Sequence, residues 1–213
     1  MKIAKPATTI NKNGLAFICE SKFGTKYQRN PHDLQHRYLC NMLETITHRL
    51  RAVEPTDAVQ LYRIENKSDE WWLGSNLAPF SRATLEHYAA GKHDLYTDLQ
   101  LRMMIEVKGN PGICVGAVDL YQLDPRNRRA GVGIVIEEQE RRNGHALSAL
   151  NLLSEYAFGH LGLHQMWAEV PASNGESIEL FIQAGFEQKG ILSDWIWSGT
   201  KWHDAHWMQK IGN

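Results

Sequence analysis

From residue 48 onward the hydrophobic and polar positions fall into short, regular blocks. His48-Arg49-Leu50-Arg51-Ala52-Val53 alternates with period two, as a half-buried strand does. Glu54-Pro55-Thr56-Asp57 then offers a turn, with Thr56 or Asp57 as the cap of a helix over residues 58–65. A second helix is predicted over 82–90. Leu99–Val107 reads as a strand, Lys108–Gly112 as a turn, and Ile113–Tyr121 as the next strand. Asp124-Pro125-Arg126-Asn127 turns again into a strand over Ala130–Ile136, which makes an antiparallel meander.

The period then changes. Ala146, Ala149/Leu150, Leu153, Ala157 and Leu161 mark one apolar face of a helix of about sixteen residues, stopped by Gly162. Gln165–Val170 is a strand, and Glu176–Ala184 a shorter helix closed by Gly185. Ser198-Gly199 is a hairpin dipeptide between two last strands, with Trp195 and Trp197 on one arm and Trp202 on the other. The whole predicts a mixed sheet with helices on both faces. Packing of this hairpin into the core, or a contact between two copies, accounts for its tryptophans.

Residues 1–46 differ. Pro, Gly, Asn and Lys punctuate them. Leu15–Cys19 is a short candidate strand, and 34–45 has weak helical spacing. We expect an extension over 1–46 and one domain over 47–213. A chain of 213 residues suits one domain with additions better than two, at about 150 residues per domain.

Charge sharpens this division. Residues 1–46 carry seven Lys/Arg against three Asp/Glu, while the remainder carries sixteen against twenty-one. The larger part is acidic, which favours a cationic substrate; a solvated mixed surface is the alternative. The net charge of −1 argues against nucleic-acid binding through a broad basic face. Cys19, Cys40 and Cys114 are odd in number and lack metal or redox spacing, as in a reduced compartment. No secretory leader and no 18-residue apolar run occurs, so we expect a cytoplasmic protein with no membrane partner.

The most informative segment is Ile134-Val135-Ile136-Glu137-Glu138-Gln139-Glu140-Arg141-Arg142-Asn143-Gly144-His145-Ala146. A strand enters a basic, glycine-containing turn that opens the long helix. A helix N-terminus presents free N–H groups and the positive end of its dipole, which suits a pyrophosphate. The segment lacks the Lys-Ser/Thr of a P-loop, and Gly131-Val132-Gly133 sits inside a strand, so neither nucleotide fingerprint is met. A basic loop that merely caps a helix is the alternative reading.

Arg141-x-x-Gly144-x-Ala146 matches the (Arg/Gln)-x-x-Gly-x-(Gly/Ala) signature of the GNAT superfamily of N-acetyltransferases. The resemblance continues through Leu152–Phe158, Leu161–His164, Val170–Ser177, Ala184-Gly185-Phe186 and Gly190-Ile191-Leu192. It covers roughly residues 47–213. The chain is most similar to the polyamine (spermidine) and ribosomal-protein N-terminal acetyltransferases, and Arg128-Arg129-Ala130 is similar to the former. The resemblance implies an α+β fold in α/β/α layers, the GNAT acyl-CoA N-acyltransferase fold. Its sheet is mixed and mostly antiparallel, with splayed central strands. It also implies acetyl-CoA as co-substrate. Arg141, Arg142, Asn143, Gly144, His145 and Ala146 would hold the pyrophosphate. The main chain of Ile134, Val135 and Ile136 would pair with the pantetheine, and Asn174 would contact the cofactor by its amide. The acceptor would be a small-molecule amine or a protein N-terminus, and a homo-oligomer is compatible. A GNAT-fold module that binds the cofactor without turnover is a further alternative.

The chain departs from the family at one place. Leu180-Phe181 stands where the family often has Leu-Tyr, and that Tyr is its usual general acid. Magnitudes make the loss tolerable. A thiol with pKa near 8.5 leaves as thiolate at pH 7 for about 2 kcal/mol, whereas deprotonating an alkyl ammonium with pKa about 10.4 costs about 4.6 kcal/mol. The base therefore matters more than the acid. Candidates are Asp119 and Glu106, acids inside apolar strands, where burial raises a carboxyl pKa; solvent-facing strand residues are the alternative. Glu65, Glu70 and Trp71 lie in the region that forms the acceptor pocket in this superfamily. Carboxylates there suit a cation, and an indole can stack on one; surface solvation and core packing are the alternatives. His203-x-x-His206 has metal-like spacing, but on a strand these positions face opposite ways, so no metal is expected.

Overall fold

The computed structural model describes residues 42–68, 71–73, 78–109 and 113–212. The candidate strand Leu15–Cys19, most of the 34–45 segment, Cys19, Cys40 and Glu70 lie outside the described residues. Strand β1 (His48–Ala52) leads through a 3-10 turn (Pro55–Asp57) into α1 (Ala58–Glu65). Then come α2 (Arg82–Ala90), the single turn α3 (Leu95–Asp98), and the strands β2 (Leu101–Val107), β3 (Cys114–Asp124) and β4 (Arg129–Ile136). The long helix α4 (His145–Glu155) precedes β5 (Gln165–Pro171), α5 (Gly175–Gln183), β6 (Glu187–Trp197) and β7 (Trp202–Ile211).

The seven strands form one sheet in the order β1-β2-β3-β4-β5-β7-β6. The first four are an antiparallel meander, and β4–β5 is the parallel pair. Strand alternation divides the core. Met103, Ile105, Val118, Leu120, Val132 and Met208 face α4 and α5. Met104 and Ala117 face the opposite way, against Leu61 of α1 and Leu85 and Ala89 of α2. Helices therefore cover both faces, as the periodicity predicts.

Three local expectations are revised. Asp57 does precede α1, but its carboxylate accepts from the Glu54 N–H at 2.8 Å and from Arg51 instead of capping the helix. The sixteen-residue helix has its full length, yet its last turn, Tyr156–His160, widens to a π-turn before Gly162. The terminal hairpin is not packed into the core as a whole. Trp195, Trp197 and Trp202 are about half exposed, with Trp197 and Trp202 in ring contact at 5.2 Å, and Trp207 alone of these four stacks inward, on Trp167. No helix among the described residues is long and apolar enough to cross a membrane.

Candidate active site

The site begins where two strands part. β4 pairs with β5 over Arg129–Gly131 and Gln165–Trp167. Beyond this, β4 continues to Ile136 bonded to β3, and β5 continues to Pro171 bonded to β7. Among the described residues each strand then has one edge without a partner strand, which an extended ligand can join through its own amides. A cleft of about 720 Å³ opens there, lined by Gly133, Ile134, Val135 and Ile136.

One end of the cleft is the start of α4. The first N–H groups of a helix have no intrahelical partner, and among the described residues no side chain caps α4. Gly144 at φ 78 and Arg142 at φ 63 both take left-handed backbone, which folds the loop tightly before the helix. Arg141, Arg142, Gly144, His145 and Ala146 all line the cleft. The Arg141 Nε–H donates to the Ile136 carbonyl at 3.2 Å, tying the loop to the end of β4. Arg142 pairs with Glu176 at the start of α5. Asn174 lines the cleft too, and its Oδ1 accepts from the Ser177 N–H at 3.1 Å, so its amide caps the start of α5. The arrangement suits an anion.

Behind the seat, His145 Nδ1 lies 2.7 Å from His48 Nε2, and the Thr47 hydroxyl meets His48 Nδ1 at 2.8 Å. His48 is buried. Burial and the neighbouring His145 push its pKa down.

The other end carries carboxylates and indoles. Asp119 on β3 lies opposite Gly133 and lines the cleft. A Cβ on Gly133 would sit 3.8 Å from the Asp119 Cβ, an ordinary van der Waals contact, so the glycine lies directly against this side chain. Arg102 on β2 donates from Nε to Asp119 Oδ1 at 2.7 Å and from Nη2 to Oδ2 at 3.2 Å, and pairs with Glu65 at the end of α1. Burial raises the Asp119 pKa, and the charge and hydrogen bonds of Arg102 oppose that rise. Glu65 and Trp71 both line the cleft, and the Trp71 indole N–H donates to the Glu65 carbonyl at 2.8 Å. Trp72 turns away and stacks on His203 at 4.9 Å.

Two sequence candidates are not brought to the cleft. Glu106 is buried on the α1 side of β2, where Arg49 Nη2 meets Oε2 at 2.9 Å and Arg51 Nε meets it at 2.9 Å. Hydrogen bonds from Arg49, and then from Arg51, hold its pKa below the usual carboxylate range. It ties β1 to β2 and does not line the cleft. Asn143 is exposed, and its amide donates to the Glu140 carbonyl at 3.4 Å without lining the cleft. Phe181 is 4% exposed and packs edge-on against Phe186 at 5.0 Å, so this position offers the cleft neither a proton nor a surface.

Arg102 lines the cleft and was not among the sequence candidates. Gly131 and Gly133 are two glycines on one face of one strand. A Cβ on Gly131 would come within 2.4 Å of the Tyr121 ring, so the missing side chain makes room for that ring.

Residues 48–187 match the family model described as an acetyltransferase (GNAT) domain. A spermidine N(1)-acetyltransferase of Vibrio cholerae is 24% identical over 158 residues, 73% of this chain and 88% of that protein. An uncharacterized N-acetyltransferase of Bacillus subtilis is 28% identical over 92 residues; the match spans 43% of this chain and about half (52%) of that protein. The crystal structure of the Vibrio cholerae spermidine N-acetyltransferase in complex with CoA and spermine superposes with a TM-score of 0.66. It shares 22% identity and covers 77% of this chain and 95% of that one.

Proposed function

Because the chain belongs to the GNAT family of acetyltransferases, we propose that it acetylates a primary amine, with a polyamine such as spermidine as the acceptor class. Acetyl-CoA is the co-substrate of such enzymes. The residues fit that group. An uncapped helix start with left-handed Gly144 suits its pyrophosphate, and the free edge of β4 from Val132 to Ile136 suits its extended pantetheine arm. When bound it supplies an acetyl thioester, whose carbonyl carbon takes the amine nitrogen as the C–S bond breaks.

The chain's own residues then divide the work. The α4 start and Asn174 hold the anionic end. The splayed strands leave the acceptor a way in from the α1/α2 face. Asp119 lies on that face, and we assign it as the proton acceptor. The charge and hydrogen bonds of Arg102 oppose the rise that burial imposes on its pKa, and each carboxylate oxygen retains a second lone pair. Removing a proton from an alkyl ammonium at pH 7 costs about 4.6 kcal/mol, while positioning the two reactants offsets more than that, about 7–11 kcal/mol. Phe181 leaves no acid at the usual place, and the thiolate departs for about 2 kcal/mol without one.

The observation that carries this reading is the splay of β4 and β5 between an anion seat and an acidic pocket. The acidic balance of the domain and the named relative support a polycationic acceptor. Acetylation of a protein N-terminus is the second reading. Phe181 favours it, because deprotonating an α-amine near pKa 7.9 costs only about 1.2 kcal/mol. Calorimetry with acetyl-CoA, followed by thiol release with spermidine and with short peptides, tests both. Sub-millimolar binding and faster turnover of spermidine are expected; absence of cofactor binding overturns the reading, and faster turnover of peptides selects the second.

A further inference from the structure

Glu169 stands two residues beyond the last β4–β5 pair, Gly131 with Trp167. Alternation along β5 puts it on the same face as Trp167. That face also carries Asp119 and Tyr121, because Asp119 pairs with Gly133, Tyr121 with Gly131, and Gly131 with Trp167. It is the face from which the acceptor enters.

The carboxylates on this side are not equivalent. Asp119 and Glu65 share one guanidinium, that of Arg102. Glu169 is half-buried, and the hydrogen bond recorded for it is a neutral one, from the Trp195 indole N–H to Oε2 at 2.8 Å. Among the described residues no cation pairs with it. A carboxylate that is partly desolvated and not neutralised is a site for a cation.

Its surroundings fit an ammonium group in particular. Trp167 and Trp207 are stacked at 4.7 Å with an interplanar angle of 13°. Tyr121 meets Trp167 edge-on at 5.1 Å. Trp207 stands directly opposite Glu169 in the β5–β7 pairing, and the Trp195 indole N–H donates to the carboxylate. Alkyl ammonium ions bind where a carboxylate supplies charge and aromatic faces cover the methylenes. The Trp195 donor orients the carboxylate and leaves Oε1 for the ligand.

We propose that Glu169 binds an ammonium group of the acceptor, over the Trp167–Trp207–Tyr121 aromatic cluster, and so selects polycationic amines. This rests on the amine-acceptor reading above. A polyamine with one nitrogen at Asp119 has another to place, and Glu169 supplies the second charge on the same face.

Glu169→Gln tests it, since the amide keeps the size of the side chain and can still accept from Trp195. The expected result is a rise of about tenfold in KM for spermidine, and in its Kd with CoA present, with acetyl-CoA affinity unchanged and kcat within about threefold. Glu169→Asp, which keeps the charge, should stay within about threefold of wild type, and it carries the test if the Gln variant does not fold. A spermidine KM and Kd within twofold of wild type in Glu169→Gln overturn the assignment while leaving the amine-acceptor reading standing. A wild-type protein that releases thiol with peptides but neither binds nor acetylates spermidine overturns both.

Discussion

The Arg102 guanidinium grips both oxygens of Asp119, Nε to Oδ1 at 2.7 Å and Nη2 to Oδ2 at 3.2 Å, and pairs with Glu65 as well. One cation thus holds two carboxylates from two elements against a buried strand. Arg102→Met should leave Asp119 buried and uncompensated, at a cost of about 3–5 kcal/mol in urea unfolding. Adding Asp119→Asn to that variant should recover a good part of the loss. Asp119→Asn alone should lower kcat by about a hundredfold or more with acetyl-CoA affinity unchanged. Turnover near the wild-type rate would remove Asp119 as proton acceptor.

The anion seat depends on the backbone of Gly144. Nothing lies within 4 Å of a Cβ built there, so Gly144→Ala meets no clash. Its cost is conformational, about 1 kcal/mol at φ 78, and should appear both in the melting temperature and as weaker acetyl-CoA binding. Gly144→Glu places a carboxylate in the seat, and calorimetry should show cofactor affinity falling beyond detection. Unchanged affinity would place the seat elsewhere.

Phe181 is a core residue, 4% exposed against Phe186. Restoring the hydroxyl by Phe181→Tyr should therefore not speed the reaction. It should destabilise the protein by about 1–3 kcal/mol, because the added oxygen is buried without a partner. A rise in kcat of tenfold or more would show that the position reaches the thioester after all.

The His48–His145 pair predicts a pH dependence of stability. The pKa of His48 is lowered in the folded protein, first by burial and then by His145. The unfolded chain titrates near about 6.5. Below that value the unfolded state takes up a proton that the native state resists, so stability falls as pH drops from about 6.5 through the lowered value. Above it both states are neutral and the effect vanishes. Thermal unfolding should show this slope between pH 7.5 and 5.5, and His48→Asn should flatten it. Asp57 and Glu106, both lowered by arginine partners, act in a separate window below about 4.5, where protonation releases Arg49 and Arg51.

Secondary structure was legible because periodicity is local. The helices at 58–65 and 82–90 and the strands ending at Val107 and Ile136 stand where spacing alone puts them. The strand–loop–helix segment from Ile134 to Ala146, where we propose the cofactor sits, was legible for the same reason. A feature that depends on a few consecutive residues can be read from them.

The proposed acceptor side was legible only in part: Asp119, Glu65 and Trp71 do line the cleft, but their pairing is made across elements. Glu106 and Asp119 look alike in sequence, each an acid inside an apolar run. Register separates them. Glu106 is set beside Arg49 and Arg51 of β1, while Asp119 is set opposite Gly133 at the splay. Glu169 gave no signal, because its aromatic surroundings come from β3, β6 and β7. The amino-acid order determined which elements form and where an anion can sit on one of them. Which carboxylate stands beside the cleft was decided only by tertiary structure, because the pairing of buried charges depends on which strands lie side by side and in what register.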